Sequence, residues 1–196
     1  MIYLIHPDYR NYKSFVYDHK AVRKALGSET QFHFARSPQR YLDIWQTFEI
    51  GFEALASKKA GLPDIMVRNG RMFLNETAAD SLKPLIENHG EFLPVTYEDR
   101  EGMLFNILAT AEDVDGLDTQ ISSKNEFGEV QALAFHGGKI KDLSVFRTAF
   151  DGYMGVYCNE AFKKAVENTG LKGLIFSSDI GTAFPPDKQA KSPSKH

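Results

Sequence analysis

The sequence predicts a single α+β domain with mixed, largely antiparallel strands and a few packed helices. Short apolar segments of strand length alternate with segments of helical periodicity, and glycine-containing turns typical of hairpins lie between them. One order of elements (strand, Asn-Glu, helix, glycine, strand) occurs twice, and its Asn75-Glu76 and Asn159-Glu160 pairs are 84 residues apart. With 196 residues, 42% of them hydrophobic, the chain is large enough for one core.

The first third of the chain alternates short elements. Residues 2–5 form an apolar segment that ends at His6-Pro7, which predicts a short strand ended by proline. Apolar side chains at helical spacing predict a helix over residues 12–26, closed by Gly27. Residues 31–35 alternate apolar and polar side chains, as a half-buried strand does.

Residues 37–55 support two interpretations. Ser37-Pro38 resembles the start of a helix, and several of the following apolar residues would line one helical face. The alternation and the aromatic and β-branched content of residues 45–53 fit a strand equally well. The strand is the favoured interpretation.

The middle of the chain has the clearest signals. A strand at 62–67, a turn at 69–70 and a strand at 72–74 are predicted first. A helix at 77–88 and a strand at 92–95 follow. Asn75 is a good N-cap for the helix, Gly90 ends it, and Pro84 should kink it.

The C-terminal half is predicted to be rich in strands. The first predicted elements are a buried strand at 103–111 and a hairpin of 130–135 and 140–147 about Gly137-Gly138. They are followed by a strand at 155–158, a helix at 161–168 and a strand at 174–176. The repeated Asn-Glu unit is either a duplication or a common supersecondary pattern. The domain is predicted to span residues 1–184. Residues 185–196 are rich in Pro, Lys and Ser and are predicted to form a disordered tail.

Charge divides the chain into two parts. Residues 86–130 contain eleven acids and two bases, a net charge of −9, although the whole chain carries only −3. Such an acidic region repels the phosphate backbone, so nucleic acid binding there is disfavoured, whereas a basic protein partner would be attracted. A solvated acidic face that maintains solubility is the alternative.

Several function classes lack their sequence signals. The chain has no phosphate-binding glycine loop, no serine-hydrolase elbow and no HExxH motif, and its histidines form no i, i+4 pair. The lone Cys158 lies on a predicted apolar strand, where cysteines are usually inert. No apolar segment is long enough to cross a bilayer, and the N-terminus does not resemble a signal peptide. We therefore expect a cytoplasmic protein without metal, cofactor or membrane contact.

One acidic loop is the strongest candidate for a site. Glu112, Asp113, Asp115 and Asp118 surround Gly116, but the glycine spacing does not fit a calcium loop. A contact loop for a partner and a plain exposed loop remain as interpretations. A hydrolase or transferase that used His136, His89 or this loop would need those groups to meet in one pocket.

The residues that carry a family resemblance lie mainly in the middle and C-terminal parts. They are Leu62-Pro63-Asp64-Ile65, Phe73-Leu74-Asn75-Glu76 with Ala78, Ala79 and Leu82, Gly90-Glu91-Phe92-Leu93-Pro94-Val95, Asn106-Ile107-Leu108, Asp115-Gly116-Leu117-Asp118, Val145-Phe146-Arg147, Val156-Tyr157-Cys158-Asn159-Glu160 and Gly170-Leu171-Lys172-Gly173-Leu174. Through these residues the chain, over positions 40–178, resembles the eleventh immunity-protein family of bacterial polymorphic-toxin systems. It departs from that pattern at Asn75 and Asn159, where a serine N-cap is more usual, although asparagine also caps.

The resemblance implies a small cytoplasmic antitoxin-like protein rather than an enzyme. Such a protein binds and occludes a cognate toxin, encoded beside it and delivered by secretion, as in type VI systems, or by contact, and so protects the producing cell. No catalytic residue is implied. The acidic charge then predicts that Glu112, Asp113, Asp115 and Asp118 contact the toxin.

Overall fold

The computed structural model describes residues 1–181 and confirms an α+β fold built mostly from antiparallel strands. Its strands are β1 Ile2–Pro7, β2 Ser14–Tyr17, β3 Ile50–Glu53, β4 Ile65–Arg68, β5 Arg71–Asn75, β6 Gly90–Tyr97, β7 Arg100–Ile107, β8 Ser123–Lys124, β9 Val130–Ala132, β10 Val145–Phe146, β11 Val156–Asn159 and β12 Leu174–Ser177. Its α-helices are α1 His19–Leu26, α2 Glu76–Ile86 and α3 Glu160–Thr169, and short 3-10 turns lie at Leu42–Ile44, Glu87–His89 and Glu112–Val114. The predicted tail at 185–196 lies outside the described residues.

Two four-stranded sheets share one topology. Sheet I has the order β4-β5-β7-β6 and sheet II the order β10-β11-β1-β12. In each sheet a strand-helix-strand unit, β5-α2-β6 or β11-α3-β12, leaves room for one central strand antiparallel to both neighbours. The central strand of sheet I is β7 and that of sheet II is β1. Residues 1–97 and 100–177 therefore form two related units that exchange their first strands.

The repeated Asn-Glu pair marks the same point in both units. The side chain of Asn75 accepts a hydrogen bond from the backbone N–H of Ala78 at 2.9 Å, and that of Asn159 accepts from Phe162 at 3.0 Å. Both asparagines end a strand and cap the helix that follows. The two predicted strand-helix-strand units are thus present.

Three hydrophobic clusters fill the molecule. The central one lies between the sheets and contains residues of both helices, such as Leu82 and Val166. The outer face of sheet I is covered by residues 9–62, here called the N-terminal cover, and the outer face of sheet II by residues 109–143, the C-terminal cover. Both faces of each sheet are therefore buried, which explains why β4, β5 and β11 read as continuous apolar segments.

The predictions for the N-terminal cover are partly wrong. The first strand continues through His6-Pro7 because β12 pairs with it there. Residues 12–26 begin with β2, which pairs with β3, and the helix starts only after Asp18, whose side chain accepts from the backbone of Ala21. Residues 31–35 form a turn in which the N–H groups of Phe34 and Ala35 donate to the carbonyl of Gln31.

Two further predictions have mixed outcomes. The favoured strand at 45–53 is confirmed only as β3, and the helix interpretation of 37–55 keeps only the 3-10 turn at 42–44. The hairpin about Gly137-Gly138 is wrong, since β9 pairs with β8 and β10 pairs with β11. The turn at Asn69-Gly70 is confirmed, and both residues have the positive φ angles, 52° and 72°, of a tight hairpin. Within the described range, no helix is long and apolar enough to span a membrane.

Candidate functional site

A groove with a volume of about 910 Å³ opens between the two covers. Its floor is formed by the end of β1 and the beginning of β11, and the turn between β4 and β5 forms one side. Residues 150–155 and the β8–β9 region form the other walls. The groove therefore lies where both related units and both covers meet, which is a common place for a binding site.

One set of polar groups in the groove comes from the short segment 151–157. Asp151 accepts hydrogen bonds from the hydroxyl of Tyr157 at 2.7 Å and from the backbone N–H groups of Gly155 at 2.8 Å and Met154 at 3.1 Å. Burial raises the pKa of Asp151, and it raises the pKa of Tyr157 far more. The carboxylate is thus held by three donors, an arrangement that shapes the loop rather than freeing a base.

His6 is the unusual polar residue of the floor. It is buried, and its Nε2 atom has no hydrogen-bond partner among the described residues. Burial lowers its pKa, so the neutral imidazole is favoured. A neutral ring with an unpaired nitrogen can donate to or accept from a group that enters the groove.

The rim combines apolar and charged side chains. Leu55 and Met154 line the groove and are 50% and 63% exposed. Arg68 is held by the carbonyl of Phe15 at 2.7 Å, while Lys124 lies 5.0 Å from the ring centre of Phe150. Exposed apolar side chains around a concave surface are typical of a surface that is covered by a partner.

The predicted acidic loop is largely occupied by its own contacts. Glu112 accepts from the hydroxyl of Thr148 at 2.6 Å, and Asp113 accepts from the N–H of Thr110 at 2.9 Å. Asp118 accepts from two backbone N–H groups of the turn that follows it. Asp115 is the most accessible of the four and lies 3.6 Å from the Lys139 ammonium. Three of the four acidic side chains therefore stabilise the conformation of the loop. Contact of the loop with a partner stays a prediction.

The acidic segment 86–130 does not form one continuous surface. Glu98 and Asp99 lie at the turn before β7, and the acidic loop follows the opposite end of that strand. Eight strand residues span roughly 26 Å, so these two groups are far apart. Glu91 is buried and contributes nothing to the surface.

The residues considered for catalysis do not converge within the described part of the chain. His136 lies 3.6 Å from Asp118 at an exposed position, whereas His89 contacts the backbone of residues 142–144. Cys158 is fully buried, and burial strongly raises the pKa of its thiol. No group of three His, Cys, Asp or Glu side chains in residues 1–181 could hold a metal ion.

No family model matches this chain, and none of the curated proteins searched matches it either. The family resemblance described above therefore rests on the residues quoted for it.

The groove is not predictable from the sequence alone. His6 and Asp151 are far apart in sequence, and strand exchange brings them together. One local signal was available at Gly155, where any side chain would collide with the carboxylate of Asp151 and the hydroxyl of Tyr157. Glycine at such a position indicates a close approach of other groups, but the sequence does not show which groups approach.

Proposed function

We propose that this chain is a cytoplasmic immunity protein that binds a cognate bacterial toxin and neutralises it by occlusion. The observation that carries the proposal is the groove with its exposed apolar rim. The resemblance to the immunity family supports the same role. Asp151 and Tyr157 of the groove are committed to holding its wall, which favours binding over chemistry.

The rim explains how the groove would hold a toxin segment. Burying Leu55 and Met154 against a partner removes apolar surface from water, at about 25 cal/mol per Å². Protein interfaces of this kind commonly bury on the order of 800 Å² on each partner. The groove then supplies the centre of the interface, where a few buried side chains contribute most of the affinity.

The acidic loop is proposed to assist association rather than to form the centre. Asp115 is exposed and forms one ion pair within residues 1–181, so it can attract a basic surface before contact. Glu112, Asp113 and Asp118 hold the loop in place. Charge reversal at those three positions would disturb the loop itself, and Asp115 is the clean position for the test.

The experiment measures binding to the product of the neighbouring gene and the rescue of growth on co-expression. We expect nanomolar affinity, rescue by the wild type, and at least tenfold weaker binding by Met154→Asp and Leu55→Asp. The matched control is Leu42→Asp, because Leu42 is 53% exposed but lies outside the groove. If all three variants bind equally, the groove is not the interface. If the wild type neither binds nor rescues, the proposed function is wrong.

A small hydrolase or transferase is the second candidate. The contact between His136 and Asp118 is the observation that favours it, since aspartate can orient a histidine that acts as a base. Its test is a hydrolase screen of the wild type against His136→Ala. Activity that the variant loses would support the enzyme, and equal activity or none would count against it.

A further inference from the structure

Two arginines are buried near each other, and neither forms an ion pair with a carboxylate within residues 1–181. Arg71 at the start of β5 is 3% exposed, and Arg147, which directly follows β10, is 2% exposed. No ion pair joins either guanidinium to an acidic residue in the described part of the chain. Burying a charge without an opposite charge is strongly unfavourable, so the pair requires an explanation.

Both guanidinium groups also have unused donors. Arg147 donates to the carbonyl oxygens of Arg36 and Ile107, but its Nε has no acceptor. The guanidinium carbon of Arg71 lies 3.9 Å from the centre of the Phe32 ring, and its Nε and Nη1 atoms are buried without acceptors. Carbonyl dipoles, a ring face and the neighbouring Tyr17 and Tyr41 satisfy part of this demand. Three nitrogen atoms, which carry four N–H groups, still have no hydrogen-bond acceptor within residues 1–181.

The two side chains belong to one cluster. The guanidinium of Arg147 lies against Gly70, the residue before Arg71, where any Cβ atom would collide with it. Burial lowers the pKa of Arg147 to about 10, and the positive charge of Arg71 contributes in the same direction, whereas Tyr153 and the carboxylate of Asp151 act against it. The two buried arginines therefore repel each other.

The acid nearest in the sheet register is already engaged. Asn106 of β7 pairs with Arg71 on one side and with Glu91 on the other. Glu91 accepts from the N–H of Tyr41 at 2.9 Å and from the amide of Asn106 at 3.2 Å, and it lies 3.8 Å from Arg40. Its charge is thus balanced by Arg40 rather than by the buried pair.

The cluster occupies the position in sheet I that the groove occupies in sheet II. Arg71 and Gly155 are counterparts, because each lies four residues before the asparagine that caps the following helix. Asn106 and His6 are counterparts in the same way, because the strand registers place them opposite Arg71 and Gly155. Gly70 separates the two places, because it lines the groove on one side and contacts Arg147 on the other.

We propose that Arg71 and Arg147 form a binding site for a doubly charged tetrahedral oxyanion of the phosphate class. Guanidinium forks match the oxygen spacing of phosphate and bond to it in pairs. Two positive charges that form no ion pair within residues 1–181 call for a dianion more than for a single carboxylate. The site is independent of toxin binding and goes beyond the proposed function.

The test uses equilibrium dialysis of inorganic phosphate against the full chain, first freed of phosphate. We expect one phosphate per chain for the wild type and none for Arg71→Met. Arg100→Met, at an exposed arginine in the β6–β7 hairpin, is the matched control and should bind as the wild type does. Arg147 is left unchanged because it also holds two backbone carbonyls.

Urea denaturation at constant ionic strength gives a second readout. At a phosphate concentration ten times the dissociation constant, the unfolding equilibrium constant of the wild type should fall about 11-fold, while that of Arg71→Met stays unchanged. Should Arg71→Met not fold, Arg71→Lys keeps the charge, loses the fork, and is expected to bind at least tenfold more weakly. The proposal is wrong if the wild type binds no phosphate, if chloride protects equally, or if the Arg71 variants bind as the wild type does.

Discussion

The hydrogen bond from the Tyr157 hydroxyl to Asp151 fixes one wall of the groove, and its removal is the sharpest test of that geometry. In Tyr157→Phe the ring keeps its stacking on Phe146, so the change removes one hydroxyl and little else. A hydrogen bond to a charged group contributes about 1.5 to 3 kcal/mol. Since both partners are largely buried, we expect the free energy of unfolding to fall by about 2 kcal/mol.

The assay is urea denaturation at pH 7 of the wild type, Tyr157→Phe, Asp151→Asn and the double variant. The bonds from Gly155 and Met154 to residue 151 do not involve Tyr157, so the cycle isolates the single contact. We expect a coupling energy of at least about 1 kcal/mol. Tyr97→Phe is the control, because Tyr97 is a buried tyrosine whose hydroxyl makes no hydrogen bond within residues 1–181.

Two results would refute this reasoning. A loss below about 0.5 kcal/mol in Tyr157→Phe would mean that the hydroxyl exchanges Asp151 for water without cost. A coupling energy near zero would mean that Asp151 holds the loop through its backbone bonds alone. In either case the wall of the groove would not depend on this side-chain pair.

Further predictions concern stability, pH and association. Asn159→Ala should lower the free energy of unfolding by about 1 kcal/mol. Asn75→Ala should lower it by about 2 kcal/mol, because Asn75 also donates a hydrogen bond to Asp64 at 2.8 Å. Equal losses for the two variants in urea denaturation would contradict this prediction. Burial lowers the pKa of His33, so the unfolded chain binds more protons than the folded chain, and the free energy of unfolding should fall as the pH drops below 6.5. In His33→Asn the denaturation midpoint should therefore depend less steeply on pH than in the wild type. Asp115→Lys should slow association with a basic partner, as stopped-flow rates at low and high salt would show, and an unchanged rate would remove the loop from the interface.

The sequence could predict those elements that short-range chemistry determines. Asn75 and Asn159 cap helices by bonding to a backbone group three residues ahead, and Asn69-Gly70 forms its turn with its own φ angles. Each of these depends on only a few neighbouring residues. The repeated strand-helix-strand unit was recognisable because it is built from such local signals.

The N-terminal cover was harder to predict because long-range packing decides its structure. Phe15 has helical spacing to Val22, yet it belongs to a strand that packs its ring 6.4 Å from that of Phe73. Phe32 is buried under Arg71 in a turn, although its alternation with Phe34 suggested a strand. In both cases aromatic contacts with sheet I override the local pattern, and such contacts leave no period in the sequence.

The groove and the arginine cluster occupy equivalent places in the two related units and differ in one side chain. Both lie on the outer face of a sheet, at the end of its central strand, so their backbones are equivalent. Gly155 leaves that position open in sheet II, and Tyr157 can then bond to Asp151 above it. Arg71 occupies the same position in sheet I and carries a buried charge into it. A single difference in side-chain size and charge at one register position thus separates an open groove suited to a partner from a closed cluster suited to an anion.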